Sequence, residues 1–212
     1  MSRGKRIVLG VTGASGLSLA LHFMKMAARH DRVERLHVVF SAHAIRVAAH
    51  ETVPPASNAR AIVERAGISE EMMSKVEIHP DSDIGATIAS GSYPVDGMAV
   101  VPCTSATLAS IANGISRGLI QRAADIALKE RRPLVLALRE TPLSLVHVEN
   151  MARVTRSGGI IAPPIPAFYA GESWERYLDH FAMRVLDLLG LEVDRGELRW
   201  DAIRSGGSTE TE

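Results

Sequence analysis

The chain has 212 residues, enough for one compact α/β core and too few for two. Lysine plus arginine equals aspartate plus glutamate, 24 of each, so no global field favours nucleic acid or an anionic membrane as a partner. A single cysteine, Cys103, excludes an internal disulfide and a cysteine-built metal site, and suits a reducing cytoplasm.

The first predicted element is an apolar strand over residues 6–11. It runs into Gly10-Val-Thr-Gly13-Ala-Ser15-Gly16, spaced G-x-x-G-x-x-G, and then into an amphipathic helix over 17–29. A strand, a glycine turn and a helix start make a phosphate cradle, although this spacing is neither the dinucleotide nor the triphosphate fingerprint. The same glycines break the apolar run behind the basic start, which argues against a signal peptide. No later apolar run approaches the ~20 residues that span a bilayer. Further strands are expected over 35–41, 75–79, 97–102, 134–138 and 159–162. Helices are expected over 42–50, 58–66, 105–113, 119–131, 143–155 and 174–189. Alternation of this kind predicts a doubly wound α/β fold, a mostly parallel sheet with helices on both faces, whose ligands gather beyond the carboxyl ends of the strands. The proline-rich run 163–169 is expected to be extended, carrying Tyr169 across the top of the sheet or to a neighbouring subunit. The small, polar residues 205–212 are expected to be disordered, leaving 1–204 as the domain.

Hydroxyls collect at the predicted strand ends: Ser15, Ser41, then Thr104, Ser105 and Thr107 behind Cys103. Each can be an ordinary helix cap, and together they suit a phosphate or the polar edge of a heterocycle. The acidic residue that would hold an adenosine ribose at the second strand end is replaced by Ser41, which favours a mononucleotide such as FMN over NAD. Arg122 and Lys129 share a helix face, and Arg139-Glu140 follows the fifth strand. With Tyr169 they can bind a second phosphate, Glu140 serving as the proton-transfer group. Lys129 can equally be part of a solvated helix end. The histidines show neither H-x-x-x-H nor H-E-x-x-H spacing, so no metal site is expected. Cys103 reads as a buried structural thiol, His147 as part of an interface or wall, and the Met24/Met26 and Met72/Met73 pairs as core or interface filler.

Taken in order, Gly13-Ala-Ser-Gly16, Ser41 with Glu51-Thr52, Ala89-Ser-Gly-Ser92, Pro102-Cys103, Arg122-Ala-Ala-Asp125, Leu128-Lys-Glu-Arg-Arg132, Arg139-Glu-Thr-Pro142, Glu149-Asn-Met151, Pro166-Ala-Phe-Tyr169 and Arg184-Val-Leu-Asp187 resemble the flavin prenyltransferases of the UbiX family. That family lies within the homo-oligomeric flavin-containing cysteine decarboxylase-like proteins. The resemblance covers nearly the whole chain. It implies metal-independent transfer of a dimethylallyl group from dimethylallyl phosphate to reduced FMN, with a new ring closed across N5 and C6. The prenylated FMN would pass to a UbiD-type decarboxylase, and the enzyme would be a homo-oligomer, a dodecamer built from trimers. Gly13, Ala14, Ser15, Ser41, Thr104, Ser105, Thr107 and Arg139 would then hold FMN. Ser90, Arg122, Lys129, Tyr169 and Arg184 would hold the prenyl phosphate, with Glu51 and Glu140 as the acidic groups and Ser15 as a relay. Trp200 and the flavin itself would supply a π-rich wall for the allyl cation. Thr104 stands where many members carry serine, and Ile84 where some carry an aromatic residue. The alternatives are an FMN-dependent peptidyl-cysteine decarboxylase, or a non-catalytic FMN carrier or accessory subunit of a decarboxylase.

Overall fold

A computed structural model describes residues 3–170, 173–193 and 198–199. Its strands are β1 (Lys5–Val11), β2 (Val33–Phe40), β3 (Val76–Pro80), β4 (Gly97–Cys103), β5 (Leu134–Leu138) and β6 (Ile160–Ile161). Its helices are α1 (Leu17–Arg29), α2 (Ala42–Glu51), α3 (Ala59–Glu64), α4 (Glu70–Met73), α5 (Ser105–Ala112), α6 (Leu119–Lys129), α7 (Leu145–Arg156) and α8 (Trp174–Leu188). The strands form one six-stranded sheet in the order β3-β2-β1-β4-β5-β6, every pair parallel. Chain order reverses between β1 and β4, which opens a crevice at their carboxyl ends.

The central strands β4 and β5 are buried at every position, because helices cover the sheet on both faces and leave no polar side. One face packs against α1, α2, α3 and α8, with Phe23, Leu36, Phe181 and Leu186 in its core. The other packs against α5, α6 and α7, with Met98, Leu108, Ile120 and Val154 in its core. Burying a side chain of this size stabilises the fold by roughly 1.5–3 kcal/mol, so these two layers hold the strand ends in place. Met24 is fully buried, and Met26 and Met73 pack against the same core. Among the described residues no helix is long and apolar enough to cross a membrane.

Differences from the expected elements have local causes. Helix α6 stops at Lys129, short of Arg131, because Arg131 adopts φ 56 and cannot continue a right-handed helix. Helix α7 begins at Leu145, after Ser144, whose hydroxyl accepts the His147 N–H at 3.3 Å while His147 Nδ1 accepts the Ser144 N–H at 3.2 Å. His147 is thus a helix-capping residue. The short helix α4, not expected from the sequence, starts after Ser69, whose hydroxyl accepts the Met72 N–H. The proline-rich run does not stay extended to its end: Phe168–Ala170 is a 3₁₀ turn. Tyr169 rests against α8, its hydroxyl 3.2 Å from His180 Nε2.

Candidate active site

The glycine turn after β1 is shaped by close approach. A Cβ on Gly13 would lie 2.4 Å from His43 Cβ on α2, so only glycine fits between β1 and that helix. Gly16, at φ 112, turns the chain into α1. The carboxylate of Glu51, at the far end of α2, accepts the N–H groups of Gly16 at 3.0 Å and Leu17 at 2.8 Å. Acceptance of these otherwise free donors favours the helix start and brings Glu51 beside the exposed Ser15.

Thr12 braces the crevice. Its hydroxyl donates to the Pro102 carbonyl at 2.7 Å and accepts the Thr104 N–H at 2.9 Å, coupling the ends of β1 and β4. Thr104 then caps α5: its Oγ1 accepts the Thr107 N–H at 3.1 Å and donates to Thr107 Oγ1 at 2.9 Å. Ser41 caps α2 through the Ala44 N–H at 3.1 Å. Both threonines and Ser41 line one open cleft of about 470 Å³ with Thr12, Gly13, His43, Asp81, Ser110 and Gln121. Asp81 is structural there, accepting the Ile120 N–H at 3.0 Å at the start of α6. Gln121 Oε1 is buried in this wall with no hydrogen-bond partner among the described residues. An acceptor left so would cost roughly 1–3 kcal/mol unless a ligand donor meets it.

Arg139 and Glu140 are exposed at the end of β5, where the Arg139 N–H donates to the Cys103 carbonyl at 3.0 Å. Glu140 Oε1 accepts the Thr141 N–H at 3.1 Å. Cys103 itself is fully buried, and burial pushes its thiol up to about 12, so it remains protonated and inert at neutral pH.

The residues expected around a prenyl phosphate fall into two groups. Arg122 Nε donates to the Ala89 carbonyl at 3.3 Å and its Nη1 pairs with Asp125 at 3.0 Å. Lys129 pairs with Glu130, and its Nζ lies 2.7 Å from where a Cβ on Gly91 would sit. Ser90 Oγ is 2.8 Å from Ser92 Oγ. Ser90, Arg122 and Lys129 therefore meet at one surface of α6. Tyr169 and Arg184 lie against α8 in the layer on the opposite face of the sheet, where Arg184 pairs with Asp187 at 3.1 Å. Ile84 is 65% exposed. Trp200 and residues 205–212 lie outside the described residues.

Thr12 and Gln121 were missed in the sequence. Thr12 sits inside the glycine turn and was readable as a strand-end hydroxyl. Gln121 is one residue before Arg122 on an amphipathic helix, and only the packing of α6 turns it to the cleft.

The sequence pattern of the family described as Flavoprotein matches residues 1–176. The flavin prenyltransferase UbiX of Neisseria meningitidis serogroup B is 39% identical over 190 residues, covering 89% of this chain and 93% of that protein. The chain belongs to the UbiX family of flavin prenyltransferases. A crystal structure of AnUbiX in complex with FMN and dimethylallyl pyrophosphate superposes with a TM-score of 0.80 at 42% identity, over 93% of this chain and 98% of that one. A dodecameric FMN-dependent UbiX-like decarboxylase from Escherichia coli O157:H7 gives 0.78 at 39% identity, over 90% and 96%. The doubly wound flavoprotein fold expected from the sequence is the fold observed.

Proposed function

We propose that this chain transfers a dimethylallyl group from dimethylallyl phosphate to reduced FMN, joining it at N5 and C6, and delivers prenylated FMN to a UbiD-type decarboxylase. The observation that carries this reading is the cleft at the β1/β4 crevice, where the capped start of α5 and the orphaned Gln121 Oε1 face one space. The first-turn N–H groups at Ser105 and Ala106 have no intrahelical acceptor and suit the FMN phosphate, as do the hydroxyls of Ser15, Ser41 and Thr107. The backbone of Gly13 and Ala14, the Thr104 hydroxyl and the Arg139 guanidinium would complete the FMN site, and a donor on the flavin's polar edge would satisfy Gln121. FMN is a substrate here as well as the bound flavin.

In the transfer, the allylic C–O bond breaks and its electron pair leaves with phosphate. Arg122, Lys129, Tyr169, Arg184 and Ser90 would stabilise that charge. N5 gives up its proton as the allyl group joins it. When the ring closes, the allyl double bond takes up one proton as its far carbon bonds to C6, and Glu140 would accept the proton that C6 then loses, with Glu51 and Ser15 near the reacting centre. Arg122 and Lys129 lie on one layer and Tyr169 and Arg184 on the other. A donor site containing all four therefore needs a second copy of the chain. Phe168, 87% exposed, and the exposed Ile165 and Leu145 supply apolar surface for such an assembly, which we take to be a dodecamer. A cytoplasmic setting is consistent with the single cysteine, Cys103, being a free and buried thiol. The cationic group on α6 favours transfer over peptidyl-cysteine decarboxylation or simple FMN carriage, which do not need it.

Lys129→Ala tests the donor assignment. Losing one charge-assisted contact to phosphate should lower turnover or donor affinity by about ten- to a hundredfold and leave FMN binding intact. Steady-state rates against donor concentration, beside an FMN titration, measure both. An unchanged donor dependence would return Lys129 to its pair with Glu130.

A further inference from the structure

Parallel pairing of β2 with the edge strand β3 sets His37 opposite Glu77 and Val39 opposite His79. Residues two apart on a strand share a face, so His37, Glu77 and His79 converge on one side of the sheet. Both imidazoles are buried and Glu77 lies at the solvent margin. His37 Nδ1 is 3.0 Å from His79 Nε2. Glu77 presents both oxygens, Oε2 at 3.5 Å from His37 Nδ1 and Oε1 at 3.6 Å from His79 Nε2.

We propose that His37, Glu77 and His79 bind one divalent transition-metal ion of the zinc class, tying the edge strand β3 to β2. A tetrahedral zinc with bonds of about 2.0–2.1 Å sets neighbouring ligand atoms roughly 3.3–3.4 Å apart. Here the two imidazole nitrogens stand 3.0 Å apart and one ligand atom from each of the three residues lies within 4.8 Å of the others, so a small closing movement of the exposed Glu77 completes the set. Two imidazoles and a carboxylate are a donor set zinc accepts. The second ring nitrogen of His37 is already oriented: Nε2 is 3.0 Å from the Tyr93 hydroxyl, which can accept its proton and leave the Nδ1 lone pair facing His79 and Glu77. Tyr93 is held in turn by Arg132, which donates to its carbonyl at 2.9 Å, and by Arg6, whose guanidinium lies 5.2 Å from the ring centre.

The site shares no residue with the crevice, so its failure would leave the prenyl-transfer reading untouched. The sequence hid it because the ligands are an E-x-H pair on one strand and a histidine 40 residues earlier on its neighbour.

The test uses the untagged full chain, stripped with chelator and titrated with Co²⁺ and then Zn²⁺. Visible d–d absorption reports Co²⁺ geometry, elemental analysis reports stoichiometry, and thermal unfolding reports coupling to the fold. The expected result is one ion per chain, an intense Co²⁺ spectrum lost on adding Zn²⁺, and a midpoint raised by metal. Glu77→Gln, at a partly exposed position, and His79→Gln should each weaken binding by more than the ~10–100-fold typical of an outer-shell change. Circular dichroism without metal verifies that the variants are folded. No binding by the folded wild type at millimolar metal, or equal binding by wild type and folded Glu77→Gln, would overturn the proposal and leave a hydrogen bond between two neutral imidazoles.

Discussion

Glu140→Gln should bind FMN and dimethylallyl phosphate normally and fail at ring closure. The substitution keeps the size of the side chain and an oxygen for the Thr141 N–H, the one hydrogen bond the Glu140 side chain makes among the described residues. It removes the ability to accept a proton. Loss of a general base typically costs on the order of 100- to 10,000-fold, and because allyl transfer precedes closure, flavin carrying the allyl group at N5 with the ring still open should accumulate. Rapid-quench mass spectrometry with flavin absorbance distinguishes the open and closed products. Closed product at the parent rate would remove Glu140 from the proton step and turn attention to Glu51, which sits beside Ser15 through the Gly16 and Leu17 N–H groups.

Riboflavin should bind far more weakly than FMN. The two ligands differ by a phosphate, and the proposed contacts to it come from the start of α5 together with the Ser15, Ser41 and Thr107 hydroxyls. Each charge-assisted hydrogen bond contributes about 1.5–3 kcal/mol, so losing two lowers affinity by roughly 100- to 10,000-fold. Calorimetric titration of both flavins measures the ratio. Equal affinities would move the anion away from α5 and make the capped threonines structural.

The fold was readable because every central strand is a continuous apolar run, as a sheet covered on both faces requires: Leu134–Leu138 has no polar position to blur its limits. Helix starts were readable where a hydroxyl caps them, as at Ser41 and Thr104. What pairing and packing decide was not readable. Glu51 reaches Gly16 across 35 residues because α2 packs against α1, and nothing local in either segment signals that contact. The same is true of His37 and His79, which strand register alone brings together. Arg122 and Lys129 were correctly placed on one helix, whereas their separation by the sheet from Tyr169 and Arg184 depends on which face each crossover takes. Gln121 shows the limit most simply, since a polar residue on an amphipathic helix usually faces water and this one is turned inward by the packing of α6.

Every role assigned to these residues rests on prenylation of FMN by this chain. Purified protein mixed anaerobically with reduced FMN and dimethylallyl phosphate, then denatured and examined by mass spectrometry, tests it most directly. The expected product is a flavin heavier by one dimethylallyl unit, with one phosphate released per flavin modified and no added metal required. Flavin of unchanged mass, from protein that binds both FMN and the donor, would contradict it.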